Sequence, residues 1–261
     1  MSRIQNAFSK GKAFIPFITC GDPDLQTTER TVLEAIRNGA DLVELGIPFS
    51  DPTAEGPVIQ EANLRALTGG VTTDKVFELV VSLRAQTDVP LVFMTYSNVV
   101  FSYGSDHFIR RCAETGIDGL ILPDLPFEEK DEFLPLCRKY GIDLISLIAP
   151  TSEARTAMIA EEAEGFIYLV SSLGVTGTRN VITTDLDGIV RVIRQVTQVP
   201  VAIGFGISTP RMAADMAAKA DGVIVGSAIV RLIAENGTKA PEKVAALVKD
   251  MKDALSREKE G

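Results

Sequence analysis

Glu44 and Glu55, eleven residues apart in the run ELGIPFSDPTAEGPVIQ, are the residues whose type and spacing best suit chemistry. Glu44 lies in DLVELGI, a run that is apolar on both sides of the acid. Such runs are typical of strands in a parallel sheet covered on both faces, so we expect the Glu44 carboxyl to be buried. Burial of an unpaired carboxylate is costly, and it raises the pKa toward neutrality. The position therefore predicts a general acid or base; a buried structural ion pair is the alternative.

Glu55 has a different setting, because it lies in the loop that follows this strand. Two carboxyls in different environments have different pKa values, and this difference can separate an acid from a base. A solvated loop carboxylate is the alternative for Glu55. Asp51, between the two glutamates in FSDP, is most simply a turn former, since Asx-Pro dipeptides favour turns.

Other catalytic chemistries lack their groups. None of the eleven lysines falls on a predicted strand or at its C-terminal end, so a Schiff-base mechanism has no amine. His107 is the single histidine, which leaves a metal site or a Ser-His-Asp triad poorly supplied, and we predict no metal. The cysteines are odd in number and widely spaced, which favours reduced thiols: Cys20, Cys112 and Cys137. Carboxylates therefore remain as the acid and base groups, with tyrosines such as Tyr96 and Tyr168 as hydrogen-bond partners.

Eight short runs rich in β-branched and apolar residues predict the strands that position these groups. They are FIPFIT from Phe14, DLVELG from Asp41, LVFMTY from Leu91, DGLILP from Asp118, DLISLI from Asp143, GFIYLV from Gly165, VAIGFG from Val201 and DGVIVG from Asp221. Segments with helical periodicity separate the runs, and three glycines stand where helices should end: Gly39, Gly116 and Gly141. This alternation within about 250 residues is typical of an α/β fold, the (β/α)8 TIM barrel. We predict a single barrel domain over residues 1–261, with an extra N-terminal helix before Phe14.

The loops that follow two strands are unusually long. Strand starts are 50 residues apart from Asp41 to Leu91 and 36 apart from Gly165 to Val201. Both long gaps begin at the C-terminal ends of strands, where barrel enzymes build their sites, so they predict lids or binding loops. A doubly wound open sheet is the rival architecture, but it requires a glycine fingerprint after the first strand, where this chain has CGDPD.

Glycine-bearing segments after the last three predicted strands indicate a phosphate site. They are SSLGVTGTR, GFGIS and GSAIV. Glycines let backbone amides approach an anion, and a helix that begins at Ser227 would direct its positive end at the same point. The last two segments contain no Lys or Arg, so backbone donors would have to hold the anion. Simple turns are the alternative for each segment taken alone, and Arg179 is most simply a solvated loop residue.

Composition limits the partners and the location. A net charge of −9 and a pI near 4.8 give no electrostatic footprint for nucleic acid or anionic lipid. No run of about 18 apolar residues is present, so we predict no membrane span. The opening MSRIQNAFSKGK has no apolar core of a secretory signal. We therefore expect a soluble, cytoplasmic protein.

The motifs ELGIPFSDPTAEGP, MTYSN, LPDLP, SLGVTG, GFGIS and GSAIV, in this order and at matching intervals, resemble those of the tryptophan synthase alpha subunit. The resemblance covers nearly the whole chain. It implies a (β/α)8 barrel that cleaves indole-3-glycerol phosphate to indole and glyceraldehyde 3-phosphate in tryptophan biosynthesis. It also implies that this subunit has no cofactor of its own and works in an alpha2-beta2 heterotetramer, whose beta subunit carries pyridoxal phosphate and joins indole to serine.

The same resemblance implies roles for individual residues. Glu44 matches the strand glutamate that shuttles protons during cleavage, and Glu55 matches its loop partner at the indole nitrogen. The residues implied in the indole pocket are Phe17, Thr19, Tyr96 and Tyr168. Thr176 matches the loop that closes over the substrate, and the implied phosphate site is Gly177, Gly206, Gly226 and Ser227. The family positions on the face that meets the beta subunit correspond to Asp51, Pro52 and Asn98. Asp51 also matches a loop acid that is linked to closure over the substrate.

Glu55 is also where the chain departs from the family pattern, since many members carry aspartate there. The extra methylene moves the carboxyl by about 1.5 Å, and a shift of about 1 Å can cost about 100-fold in rate. We expect the loop to compensate, because the surrounding motif is intact. Two alternatives to the lyase remain: a phosphosugar isomerase that uses Cys20 and Asp124, and a non-catalytic activator of a beta subunit.

Overall fold

The structure, a computed structural model, describes residues 2–171, 185–204 and 206–256. The strands in these ranges are β1 (Ala13–Thr19), β2 (Val43–Gly46), β3 (Leu91–Met94), β4 (Gly119–Ile121), β5 (Asp143–Leu144), β6 (Ser146–Ile148), β7 (Ile167–Val170), β8 (Val201–Gly204) and β9 (Gly222–Val225). The first helices are α1 (Arg3–Ser9), α2 (Leu25–Arg37), α3 (Pro57–Thr68), α4 (Thr73–Arg84), α5 (Ser97–Tyr103) and α6 (Ser105–Thr115). The later helices are α7 (Leu134–Tyr140), α8 (Glu153–Glu161), α9 (Leu186–Val196), α10 (Pro210–Ala217), α11 (Ser227–Asn236) and α12 (Ala240–Ser256). Within these same ranges, no helix has both the length and the apolar character needed to cross a membrane.

The strands form one parallel sheet in the order β5-β4-β3-β2-β1-β9-β8-β7-β6. Its two end strands, β5 and β6, are consecutive in the chain and are separated only by Ile145. The first half of this predicted strand pairs with β4 and the second half pairs with β7, so the sheet curls into a nearly closed ring. The barrel prediction is confirmed, and the fifth predicted strand is divided in two because its halves serve different neighbours.

The extra N-terminal helix packs against the N-terminal end of the barrel. Ser2 and Gln5 form a capping box that starts α1. Ile4 and Ala7 are buried against side chains of the barrel interior such as Ile15 and Val92, and this apolar packing fixes the helix in place. The predicted helix stops also occur, since Gly116 and Gly141 end α6 and α7 in the left-handed conformation.

Three aspartates at the N-terminal end of the barrel tie neighbouring strands together. Asp41, Asp118 and Asp221 each accept a backbone N–H from the start of an adjacent strand: Phe14 at 2.8 Å, Leu91 at 2.9 Å and Val201 at 2.8 Å. Each carboxylate also pairs with a cation from a helix: Lys252 with Asp41, Arg84 and Arg3 with Asp118, and Arg194 with Asp221. These three acids at the N-terminal end are therefore hydrogen-bonded and paired with cations.

The long segment between β2 and β3 has two parts. Residues 47–56 form a loop above the C-terminal end of β2, and α3 follows before α4 makes the usual return to the sheet. Arg65 on α3 makes two hydrogen bonds of 2.8 Å to the buried carboxylate of Asp22, which lies in the loop after β1. Since a bidentate Arg–carboxylate pair has a defined geometry, this contact holds α3 against the rim of the barrel.

Candidate active site

Glu44 is a strand residue that lines a cleft of the barrel. It lies on β2 with Phe17 of β1 and Val92 of β3 as its register neighbours, and its side chain is fully buried. No described residue makes a hydrogen bond to either carboxyl oxygen. Burial raises the pKa of Glu44 to about 8, so the group is mostly protonated at neutral pH. The buried ion pair that was the structural alternative for Glu44 is therefore absent among the described residues.

Glu55 is also buried, although it lies in a loop. Only 8% of its surface is exposed. Its Oε2 accepts a hydrogen bond of 2.7 Å from Nδ2 of Asn63, which is itself buried on α3. Burial raises the pKa of Glu55 to about 7, and the bond from Asn63 acts in the opposite direction. The alternative of a solvated loop carboxylate is thus wrong, because α3 and the barrel rim cover the side chain.

Further contacts hold the backbone on either side of Glu55. The carbonyl of Glu55 accepts a bond of 2.7 Å from Nε2 of Gln60, and the N–H of Ala54 donates to the Tyr96 hydroxyl at 3.0 Å. The Tyr96 ring stacks on Phe49 of the same loop, with 5.1 Å between centroids. The loop is therefore pinned in the part that carries the acid.

Both glutamates line one cleft at the C-terminal end of the barrel. The cleft contains about 610 Å³ of space free of protein atoms, including its opening to solvent. The described residues that line it are Phe17, Glu44, Ala54, Glu55, Ile59, Met94, Pro123, Leu147, Tyr168, Gly206, Ile207, Gly226 and Ser227. Two acids among apolar and aromatic side chains suit a flat apolar ligand that exchanges protons.

Two strand glycines make room for the aromatic rings of the cleft. A β-carbon on Gly46 would lie 2.6 Å from Cζ of Phe17, and one on Gly204 would lie 2.5 Å from Cε1 of Tyr168. Any larger residue at either position would force the ring to move. Tyr168 is buried, and burial together with the Glu44 charge raises the pKa of its phenol well above the usual value. The rings therefore form a fixed apolar wall beside Glu44.

The cleft also offers backbone donors next to Phe17. Gly226 is the N-cap of α11, which starts at Ser227, and both residues line the cleft together with Gly206. Gly206 has a φ of 81°, a conformation that favours glycine. No Lys or Arg of the described chain lines this cleft. An anion at this point would be held by amide groups and by the positive end of the helix.

Several predicted site residues lie beside the cleft or outside it. Thr19 is buried at the end of β1, two residues beyond Phe17, and Tyr96 lies behind the loop; neither lines the cleft. Thr176 and Gly177, together with Arg179, lie outside the described residues. Of the positions predicted to meet a partner, Asp51 and Asn98 are exposed and Pro52 is half-buried.

The residues of the isomerase alternative are not brought together in the cleft. Cys20 is fully buried in the apolar layer between sheet and helices, and burial raises the pKa of its thiol far above the usual value. Asp124 is engaged by Ser97, whose N–H donates to its carboxylate at 3.0 Å. Neither residue lines the cleft. Cys112 and Cys137 are buried free thiols, as predicted.

Sequence reasoning missed two residues of this region. Asn63 reads as an ordinary polar residue of a helix, and its place four residues after Ile59, on the buried face of α3, was the available signal. Phe101 is 51% exposed on α5, three residues after Asn98 and so on the same side of the helix. A phenylalanine one helical turn after Asn98, a residue predicted to meet a partner, was the available signal in the sequence.

Comparisons with known proteins agree with this geometry. Residues 4–256 match the family model described as tryptophan synthase alpha chain. The alpha chain of Lacticaseibacillus casei is 51% identical over 260 residues, covering 100% of this chain and 98% of the relative, and that of Lactiplantibacillus plantarum is 50% identical over 262 residues, covering 100% and 97%. A crystal structure of the alpha chain from Legionella pneumophila superposes with a TM-score of 0.89 at 37% identity, covering 98% of both chains. The chain therefore belongs to the tryptophan synthase alpha chain family, the lyases of tryptophan biosynthesis that cleave indole-3-glycerol phosphate.

Proposed function

We propose that Glu44 and Glu55 together carry the cleavage of indole-3-glycerol phosphate in this chain. The observation that supports this most directly is that two buried carboxyls with different surroundings line one cleft. Glu44 has no hydrogen-bond partner among the described residues and a pKa of about 8, whereas Glu55 is held by Asn63 and has a pKa of about 7. At neutral pH the first is therefore the more protonated of the two and can donate a proton, while the second is the more ionised.

The proton movements balance with these two groups. Cleavage of the carbon–carbon bond requires a proton at indole C3, stabilisation of positive charge at N1–H, and removal of a proton from the hydroxyl next to the bond. Protonated Glu44 donates its proton to C3, and the resulting carboxylate accepts the hydroxyl proton as the bond breaks. Ionised Glu55 accepts the hydrogen bond from N1–H and stabilises its charge. Glu44 ends protonated, ready for the next cycle.

The walls of the cleft fit the remaining parts of the substrate. We assign Phe17 and Tyr168 to the indole ring, with Thr19 and Tyr96 supporting this side from behind. The amides near Gly206, Gly226 and Ser227 are assigned to the phosphate, because glycine backbone and the start of α11 supply donors without a side-chain cation. Thr176 and Gly177 remain assigned by family resemblance, to the closing loop and the phosphate site.

We further propose that the chain, as a single barrel domain, docks a beta subunit with the face that carries Asp51, Pro52 and Asn98. Phe101 supports this surface, since an exposed aromatic ring next to polar rim residues is typical of an interface core. A solved structure of comparable fold comes from a tryptophan synthase complex of Pyrococcus furiosus, with a TM-score of 0.85 at 36% identity and coverage of 92% of this chain and 98% of that chain. We expect an alpha2-beta2 assembly in the cytoplasm, with pyridoxal phosphate on the beta subunit and no cofactor on this chain.

Steady-state cleavage of indole-3-glycerol phosphate tests the proposal. We expect the purified chain to release indole alone, because the loop that carries Glu55 is already held by Gln60 and Tyr96. We expect faster release when a beta subunit docks at the rim. A pure activator of the beta subunit would release no indole under either condition, and that result would contradict the proposal. Size-exclusion chromatography of the same mixture, with Phe101→Asp as the interface variant, tests the docking face.

A further inference from the structure

The contact between Asn63 and Glu55 joins two buried polar groups from different elements. Asn63 is 4% exposed and Glu55 is 8% exposed. Their hydrogen bond of 2.7 Å occupies Oε2 of Glu55, and no described residue makes a hydrogen bond to Oε1. One oxygen is therefore held by the protein while the other remains available to a ligand in the cleft.

Asn63 is carried by a firmly held element. It lies on α3, whose residue Arg65 is anchored to the buried Asp22 by two hydrogen bonds. Side chains on a helix lean toward its N-terminus, so Asn63 reaches back past Ile59 toward the loop in front of the helix. Ile59 lines the cleft on the same face. The amide is thus fixed relative to the cleft and not only relative to the loop.

We propose that Asn63 is a positioning residue that directs the Glu55 carboxylate and keeps it ionised for the N1–H of the substrate. The inference rests on the role proposed above for Glu55. It also explains how the chain accommodates the methylene that distinguishes Glu55 from aspartate: the amide on α3 meets the longer side chain and holds one of its oxygens. An aspartate in the same backbone would end about 1.5 Å short of that position.

Among the described groups around Glu55, the amide of Asn63 favours the ionised carboxylate and the neighbouring titratable groups do not. Around Glu55 the titratable groups are the phenol of Tyr96, whose own pKa is raised by burial and by the Glu55 charge, and Glu44 and Tyr168 across the cleft. All of these disfavour a negative charge when ionised, and no Lys or Arg among the described residues lines the cleft. The amide of Asn63 is the donor that favours the ionised form, opposing the effect of burial.

Titration of Glu55 in the full chain tests the proposal without relying on turnover. Protein labelled with 13C at the glutamate carboxyls is titrated by NMR, and the Glu55 signal is identified by its loss in Glu55→Gln. Asn63→Leu, which replaces the amide by an apolar group of similar size, should raise the Glu55 midpoint by about one pH unit. This is a tenfold change in the ratio of ionised to protonated Glu55 at a given pH. Asn63→Ser, too short to reach the carboxyl, should do the same and covers the case in which the leucine variant does not fold.

Gln60→Leu is the matched control. It removes a side-chain amide that bonds the backbone carbonyl of the same glutamate and not its carboxyl, so the Glu55 midpoint should stay within experimental error of wild type. If the midpoint is the same in wild type, Asn63→Leu and Asn63→Ser, the proposal is overturned. An equal shift in Gln60→Leu would overturn it as well, since the effect would then follow from general loosening of the loop.

The pH profile of cleavage supplies the second readout. At pH 7, kcat/KM of Asn63→Leu should fall by about fivefold, since the ionised fraction of Glu55 falls by that factor when its midpoint rises from about 7 to about 8. It should recover as the pH rises, because a higher pH restores ionised Glu55. In a Glu55→Gln background, Asn63→Leu should cause no further pH-dependent decrease in kcat/KM. If Asn63→Leu lowers kcat/KM equally, and independently of pH, in the wild-type and Glu55→Gln backgrounds, the positioning role is contradicted. If wild-type protein cleaves no substrate, the proposed function fails, while the NMR titration still decides whether Asn63 controls Glu55.

Discussion

The acids at the two ends of the barrel have opposite surroundings. At the N-terminal end, Asp41, Asp118 and Asp221 each accept a strand N–H and pair with a cation from a helix. At the C-terminal end, Glu44 has neither a hydrogen-bond donor nor a cation among the described residues. The residues are chemically alike, so the difference lies in what the surrounding elements present to them.

This difference separates stability from function. Paired acids at the N-terminal end neutralise charge and hold strands in register, whereas an unpaired acid at the C-terminal end keeps a proton that it can donate. Glu55 is intermediate, since one amide donor reaches it but no described cation does. Asp143 is the exception at the N-terminal end: burial and the nearby Glu164 and Asp118 raise its pKa to about 6.

The largest expected effect is the loss of cleavage in Glu44→Gln. The amide cannot exchange the proton, and positioned acid–base groups contribute about 100- to 10,000-fold, so kcat should fall by at least about 100-fold. Affinity for inorganic phosphate, measured by calorimetry, should remain close to that of wild type because the donors near Gly226 are untouched. A variant that keeps more than about a tenth of wild-type kcat would remove Glu44 from the proton-transfer step.

The matched change at the other end, Asp118→Asn, should give the reverse pattern. It removes the carboxylate that pairs with Arg84 and Arg3, leaving the largely buried Arg84 without its counter-charge. We expect a loss of about 2–4 kcal/mol in the free energy of unfolding by urea denaturation, with kcat within about twofold of wild type below the transition. If kcat falls as much as in Glu44→Gln, the acids at the N-terminal end are not limited to a role in stability.

Glu55→Asp sharpens the comparison within the C-terminal end. The shorter side chain moves the carboxyl by about 1.5 Å and takes it away from Asn63, so kcat/KM should fall by about 10- to 100-fold. The measurement is steady-state cleavage at saturating beta subunit. Wild-type activity in this variant would mean that the loop backbone, and not the pair with Asn63, accommodates either acid.

The smallest expected effect is a change in the pH dependence of the free energy of unfolding. Glu44 has a folded-state pKa of about 8 against 4.5 for the free group, so between these values the folded protein holds a proton that the unfolded chain releases. The free energy of unfolding of wild type relative to Glu44→Gln should therefore decrease by about 2.5 kcal/mol between pH 5 and pH 7, and it should level off above pH 8. Urea denaturation of both proteins at these pH values is the measurement. A constant difference would mean that Glu44 titrates normally.

Part of the site follows from local pattern alone. DLVELGI already indicates a buried acid, because a continuous apolar run has no solvent-facing side on which to place it. The strands recur at barrel spacing, and the glycine segments after the last strands point to backbone donors. These conclusions hold because burial and backbone conformation are encoded by neighbouring residues.

Other features could not be read in this way. Asn63 beside Glu55, Tyr96 behind the loop, and the division of the fifth predicted strand at Ile145 all depend on which elements meet across the barrel. Periodicity tells which face of α3 is buried but not which side chain lies opposite each position.

The amino-acid sequence by itself thus determined the barrel, the buried acid on β2 and the family to which the chain is similar. The tertiary structure alone decided that Glu55 is buried, that Asn63 holds it, and that Glu44 has no partner among the described residues while the aspartates at the other end do. The physical reason is that a pKa and a hydrogen bond depend on the groups within a few ångströms, and packing brings those groups from distant parts of the chain.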